Sequence, residues 1–100
     1  MSEFLKADVL AYLGTHKEEF QKRYALTRLG IFGSVASDRY SNTSDIDVVY
    51  ETLVKDLTFS QSLELEQTLK MAFHREIDLV NIVYMNPLIK RKALNEIIYV

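Results

Sequence analysis

The sequence predicts an α+β domain in which a small mixed β-sheet of about three to four strands is covered by helices. Two observations carry this expectation. Short apolar runs bounded by glycine or polar turns ("ALTRLGIFG", "DIDVVYE" and "EIDLVNIVY") are rich in β-branched and aromatic residues, as strands are. Around them lie longer stretches whose apolar residues recur at helical spacing. With 100 residues and 48% hydrophobic content, the chain fits one domain spanning 1–100, and it shows no repeat, low-complexity segment or long linker.

Phe4, Leu5, Val9, Leu10, Tyr12 and Leu13 mark a first helix from about Ser2 to Leu13, with Gly14 placed to end it. Thr15 and Glu18 match a capping box, which predicts a second short helix from His16 to about Tyr24. A buried strand is expected from Leu26 to Phe32. The polar segment "SVASDRYSNTS" then reads as a turn region, opening with one helical turn that starts at Ser34. A second strand is expected over Asp45 to Glu51, followed by an amphipathic helix from Ser60 or Gln61 to about His74. In "EIDLVNIVY" the alternation sends Ile77, Leu79 and Asn81 to one face and Glu76, Asp78, Val80 and Ile82 to the other. Asn86 and Pro87 form a helix start, cap then first-turn proline, leading into "LIKRKALNEI". The terminal "IIYV" fits either an extension of that helix or a short edge strand.

Composition narrows the function classes. A net charge of -2 and a pI near 5.6 argue against the broad basic surface of a non-specific nucleic-acid binder, so no direct nucleic-acid binding is expected. The chain has no cysteine, which removes disulfide frameworks and thiolate metal sites. Glu3, Lys6 and Asp8 interrupt the amino-terminal apolar residues, so neither a signal peptide nor a membrane span is expected there. A cytoplasmic protein without membrane attachment is the expectation.

The second strand raises a chemical question, because it opens with Asp45 and Asp47. Residues two apart on a strand share a face, and two carboxylates roughly 5 Å apart repel by about 3 kcal/mol at an effective dielectric near 20. A bound divalent cation converts that repulsion into attraction. Taken alone, the triplet also fits a plainer reading in which Asp45 caps a loop after Ser44 and Asp47 faces solvent. Two further features shift the balance. Gly33-Ser34 stands ten residues ahead, where glycine allows close backbone approach and serine at a helical turn offers groups to an anion. Asp78 then adds a third carboxylate inside another apolar strand, where aspartate is disfavoured.

This arrangement, Gly-Ser, ten residues, Asp-x-Asp, resembles the DNA polymerase beta-like nucleotidyltransferase superfamily, and more closely its minimal nucleotidyltransferase group. The resemblance runs from "LGIFGSVAS" through "SDIDVVYE" and "EIDLVNI" to "LNEIIYV". It implies the two-layer nucleotidyltransferase fold and transfer of AMP from ATP. Asp45, Asp47 and Asp78 would be the catalytic and metal-binding carboxylates for two Mg2+ ions, with Asp78 also helping to deprotonate the nucleophile. Gly33 and Ser34 would be the nucleotide-binding residues, on the β- and γ-phosphates. Relatives in this group are antitoxins that AMPylate a tyrosine of a HEPN-domain ribonuclease toxin, so the resemblance implies such a toxin as partner, in a hetero-oligomer or beside a homo-oligomer. Two other readings accompany it: an antitoxin acting by binding alone, and a nucleotidyltransferase with a small-molecule acceptor. Many relatives read "GSxARG" where this chain has "GSVASD", so Ser37 and Asp38 replace arginine and glycine, with Arg39 one step later as a substitute cation.

The remaining candidates have structural readings. His16 and His74 suit surface or helix-end positions, Tyr40 and Tyr50 suit packing, and Lys90-Arg91-Lys92 suits a solvated helix face. The helix "SLELEQTLKMAF" reads as core, with spare apolar surface for a dimer or toxin contact.

Overall fold

The computed structural model describes residues 5–53 and 55–100. Its elements are α1 (Leu5–Tyr24), β1 (Leu26–Phe32), the single turn α2 (Gly33–Ala36), β2 (Ile46–Thr52), α3 (Phe59–Phe73), β3 (Ile77–Asn81), a 3-10 turn (Ile82–Tyr84), α4 (Pro87–Ala93) and β4 (Ile98–Tyr99). The strands form one mixed sheet in the order β3-β2-β1-β4. β1 runs antiparallel to β2 and β4, whereas β2 and β3 are parallel and joined through α3, as a parallel pair requires a crossover. Among the described residues no helix is long and apolar enough to cross a membrane.

Alternation along the strands divides the sheet into two unlike faces. Leu29, Ile31, Ile46, Val48, Tyr50 and Ile77 enter the larger core with Val9, Leu13 and Phe20 of α1 and Leu65 and Leu69 of α3. On the opposite face Val49 packs with Ile82, Met85 and Ala93 of α4, flanked by Phe32, Val80 and Ile97. That second cluster is small. It covers only one end of its face, and the register places Asp47 and Asp78 one step beyond it, on the same side as Val49 and Val80.

The expected break at Gly14 does not occur: α1 runs through it as one 20-residue helix. Val9, Leu13, Phe20 and Tyr24 all lie buried on one stripe, which two differently oriented helices could not maintain. Across the glycine, His16 Nδ1 lies 2.9 Å from the Tyr12 carbonyl oxygen and its ring stacks on Tyr12 at 4.1 Å between centroids. Burial of the stripe outweighs the roughly 1 kcal/mol that an interior glycine costs. The expected start at Ser2 lies outside the described residues, as does Phe4.

α3 begins one to two residues earlier than expected, because Thr58 rather than Ser60 is its cap. The Thr58 hydroxyl accepts from Gln61 N at 3.1 Å and the Gln61 side chain accepts from Thr58 N at 3.0 Å. β3 stops at Asn81, whose side chain accepts from Val83 N and so closes the 3-10 turn, shortening the strand read to Tyr84. α4 starts at Pro87 with Asn86 as cap, as expected, but ends at Ala93. The terminal residues take the edge-strand alternative, because Gly30 lets the Ile98 carbonyl approach where any β-carbon would collide with it.

Below the larger core, Asp56 Oδ1 accepts from the Tyr50 hydroxyl (2.7 Å), Asn81 Nδ2 (3.1 Å) and Leu57 N (2.7 Å). Burial opposes the charge, yet these three donors together hold the carboxyl below its usual range. The network locks the carboxyl ends of β2 and β3 together, at the opposite end of the strands from Asp47 and Asp78.

Candidate active site

Parallel pairing of β2 with β3 aligns Asp47 with Asp78, side by side on the more open face of the sheet. Asp47 is half-buried and Asp78 exposed. Burial first, then the negative charges of Asp78 and Asp45 and a hydrogen bond with Asp78, push the Asp47 carboxyl up to about 6. Carboxylates crowded in this way repel each other, so a cation bound between them would be favoured.

On the other flank, antiparallel pairing sets Phe32 opposite Asp47, and the chain then turns sharply at Gly33. Gly33 has φ of 72°, a left-handed conformation natural to glycine, and any β-carbon there would run into the Asp47 carboxylate. The "GS" half of the motif is thus tied by sterics to the "DID" half: glycine is required for the aspartate to stand where it does. Ser34 follows in α2, a turn whose N-cap, Phe32, has no side chain able to cap it. The other end of the turn is well bonded: Ser37 N and Ser37 Oγ donate to the Gly33 carbonyl, and Arg39 N donates to that of Ser34.

Asp45 lies just before β2 and is exposed, so the strand begins one residue later than expected. The turn leading to it is built by Ser44, whose Oγ accepts from Ser41 N at 2.8 Å, and by Arg75, whose Nη1 donates to the carbonyls of Ser41 (2.9 Å) and Ser44 (2.8 Å). The cap of the plainer reading is therefore Ser44, leaving the Asp45 carboxylate outside that turn's framework. Asp45 acts on Asp47 through charge but does not join it closely. Among the described residues no three carboxylate, imidazole or thiolate groups converge tightly enough to enclose an ion on their own. The donor set nonetheless suits a hard cation: magnesium keeps several waters and takes one or two carboxylates plus substrate phosphates, which Asp47 and Asp78 can supply.

The Ser37-Asp38 departure has a structural account. Asp38 takes a left-handed conformation (φ 61°), which explains why glycine suits that position and why aspartate, among the better tolerated residues there, can stand in for it. Its carboxylate pairs with Lys6 at 3.1 Å. Arg39 does not reach toward Asp47: its Nε donates to Ser37 Oγ (2.8 Å) and its Nη2 to Glu96 (3.3 Å).

Sequence reasoning missed a cleft of about 590 Å3 beside Asp45, between the 42–45 segment and the carboxyl end of α3. Gln67, Lys70, Met71, His74 and Arg75 contribute to its walls. Only helical spacing could have hinted at it, since Gln67, Lys70, Met71 and His74 share one face of α3; the segment they meet is brought there by the fold. His74 takes the helix-end role, as the left-handed C-cap of α3.

Comparison with known proteins identifies the family and the fold. Residues 15–100 match the family described as polymerase beta, nucleotidyltransferase. A provisionally named protein adenylyltransferase of Methanocaldococcus jannaschii is 28% identical over 96 residues, covering 94% of this chain and 96% of that protein. The protein adenylyltransferase MntA of Thermococcus cleftensis is 28% identical over 95 residues, covering 93% of each chain. Among solved structures, one described provisionally as a minimal nucleotidyltransferase superposes with a TM-score of 0.71 at 25% identity, over 96% of this chain and 92% of that one. A toxin-antitoxin structure with AMP-PNP shares the fold at a TM-score of 0.70 and 20% identity, over 85% of this chain and 69% of that one.

Proposed function

Because this chain belongs to the polymerase beta family of nucleotidyltransferases, we propose that it transfers AMP from ATP to a tyrosine hydroxyl of a partner protein, as the antitoxin of a toxin-antitoxin pair whose toxin is a HEPN-domain protein. The observation that carries the reading is the registered Asp47–Asp78 pair with Gly33 packed against it. The adenylyltransferase names of the relatives and the toxin-antitoxin setting of the fold neighbours support the acceptor class and the partner. ATP would lie with its β- and γ-phosphates at Gly33 and Ser34 and its α-phosphorus before the aspartates.

The phenolic oxygen attacks the α-phosphorus and forms a new oxygen–phosphorus bond. The bond from that phosphorus to the bridging oxygen breaks, and pyrophosphate leaves. The exposed carboxylate of Asp78 takes the phenolic proton. Magnesium, with Asp47 and Asp78 as its carboxylates and Asp45 adding negative charge nearby, would neutralise charge on the phosphates. The chain's own contribution is positioning: β2 and β3 hold two carboxylates in fixed register, and the Gly33 turn sets the distance from phosphate to carboxylate.

The test is incubation of the protein with α-labelled ATP, magnesium and the product of the neighbouring gene. Label is expected on a tyrosine of that product, with loss of at least 100-fold in Asp47→Asn. Absence of label from the unaltered pair overturns the reading. Engagement of Arg39 by Ser37 and Glu96 favours a second reading, in which the protein silences its partner by binding alone. On that reading Asp47→Asn protects cells from the partner as well as the unaltered protein does.

A further inference from the structure

The outer side of α4, with the 3-10 turn before it, combines apolar exposure with unpaired charge. Val83, Tyr84, Leu88, Ile89 and Leu94 are each more than half exposed, and they make up half of the large apolar side chains that the described residues leave exposed. Apolar side chains gathered in this way mark an interaction surface. The same segment is basic. Lys90, Arg91 and Lys92 follow one another, no acidic residue lies between Asp78 and Glu96, and none of the three cations joins an ion pair among the described residues. In a chain of net charge -2 this is a local reversal of sign.

Position joins this surface to the acids. Met85 and Ala93 pack with Val49, so α4 and its turn sit on the sheet face that carries Asp47 and Asp78. Asp47 is two residues from Val49 along β2, about 7 Å. Leu88, Arg91 and Lys92, three and four apart on the helix, lie on the side turned away from buried Ala93 and hence away from the sheet. They face outward beside the site rather than into it, placed to meet the body of a partner and not the phosphates of ATP. Two other occupants fit less well. Isologous contact with a second copy would set this basic face against itself. A membrane-surface helix segregates its cations from its apolar residues, whereas here Arg91 and Lys92 flank Leu88 on one face. We infer that α4 and the 3-10 turn before it are the docking face for the partner protein, received by a partner surface in which apolar side chains are interspersed with aspartate or glutamate. This rests on the function proposed above for the identity of the partner, and adds to it the surface by which the partner is held beside the acids.

Calorimetric titration of the protein with the product of the neighbouring gene, in the absence of ATP, tests the surface. Leu88→Asp and Arg91→Glu are changes at exposed positions, and each is expected to weaken binding by about ten-fold or more. Lys22→Glu makes the same change of charge at an exposed position of α1, which covers the opposite face of the sheet, and is expected to leave the affinity unaltered. Added salt is expected to weaken the unaltered complex more steeply than the Arg91→Glu complex. Unchanged affinity in both Leu88→Asp and Arg91→Glu overturns the docking surface while leaving AMP transfer standing. An equal loss in Lys22→Glu overturns it as well, since net charge alone then governs association. Binding to phosphatidylglycerol vesicles, or dimerisation, that the α4 changes abolish while partner affinity is kept overturns it in favour of a membrane or a second copy. Binding by the unaltered pair that the α4 changes weaken, without transfer of label from ATP, supports the surface and strikes only at catalysis. No binding by the unaltered pair overturns the partner reading itself, and the docking surface falls with it.

Discussion

Asp47 stands where a carboxylate is uncomfortable in the ligand-free protein: half-buried, beside Asp78, and hemmed by the Gly33 backbone. Its carboxyl is raised from 3.8 to about 6, so between those values the folded chain binds more protons than the unfolded one. Stability therefore falls as pH rises through that window, and the whole penalty is present above about pH 6. Solvent screening at this half-exposed site reduces it to the order of 1 kcal/mol. Asp47→Asn is expected to raise the melting temperature by about 4–8 °C at pH 7.5. Below pH 4 the difference should vanish, and thermal denaturation across pH checks both. The same variant should lose transfer activity, a trade of function for stability expected at a charge-crowded site. Asp38 offers a second residue-level test. Its left-handed backbone carries a strain of roughly 1 kcal/mol that glycine relieves, whereas the exposed Lys6 pair contributes less. Asp38→Gly is therefore expected to be neutral to stabilising by up to about 1 kcal/mol in chemical denaturation.

At the scale of elements, α1 shows how tertiary burial overrides a local stop signal. Gly14 looked like a terminator because glycine commonly follows a helix end, and Thr15 with Glu18 looked like a restart. The stripe of Val9, Leu13, Phe20 and Tyr24 against β1 is continuous instead. A β-carbon at Gly14 meets nothing within 4 Å, so Gly14→Ala should stabilise the protein by about 0.5–1 kcal/mol, measured as a rise in denaturant midpoint at unchanged slope. Strands were legible as short apolar runs rich in β-branched and aromatic residues and closed by glycine or polar turns, and in β3 the period-two facing of Ile77, Leu79 and Asn81 away from Asp78 and Val80 was correct. The end of β3 was not legible, since Asn81 terminates it by a side-chain bond to Val83 N that no periodicity encodes.

The whole molecule is a sheet protected well on one face and lightly on the other. α1 and α3 cover the larger core, whereas α4 covers only the Val49 end, and the uncovered end of that face carries the acids. Such an arrangement leaves folding and ligand binding linked, because a ligand that binds only the folded state stabilises it. Magnesium-ATP at about 100 times its dissociation constant should add about 2.7 kcal/mol, seen as a rise in melting temperature. That rise should be absent in Asp47→Asn, although its starting temperature is higher. A rise of equal size in the variant would count against Asp47 as a ligand for the complex.

The amino-acid order by itself determined the mixed sheet covered by helices, the strand cores and the spacing of Gly33-Ser34, Asp45 and Asp47, since these depend on neighbours along the chain. Only the tertiary structure decided that Asp78 stands beside Asp47 in register, that Gly33 must lack a side chain to admit that carboxylate, and that Arg75 braces the turn before Asp45 while α3 walls a cleft beside it. The physical reason is that register and packing are chosen by burial of both sheet faces at once. Residues more than thirty positions apart meet only as a result of that choice.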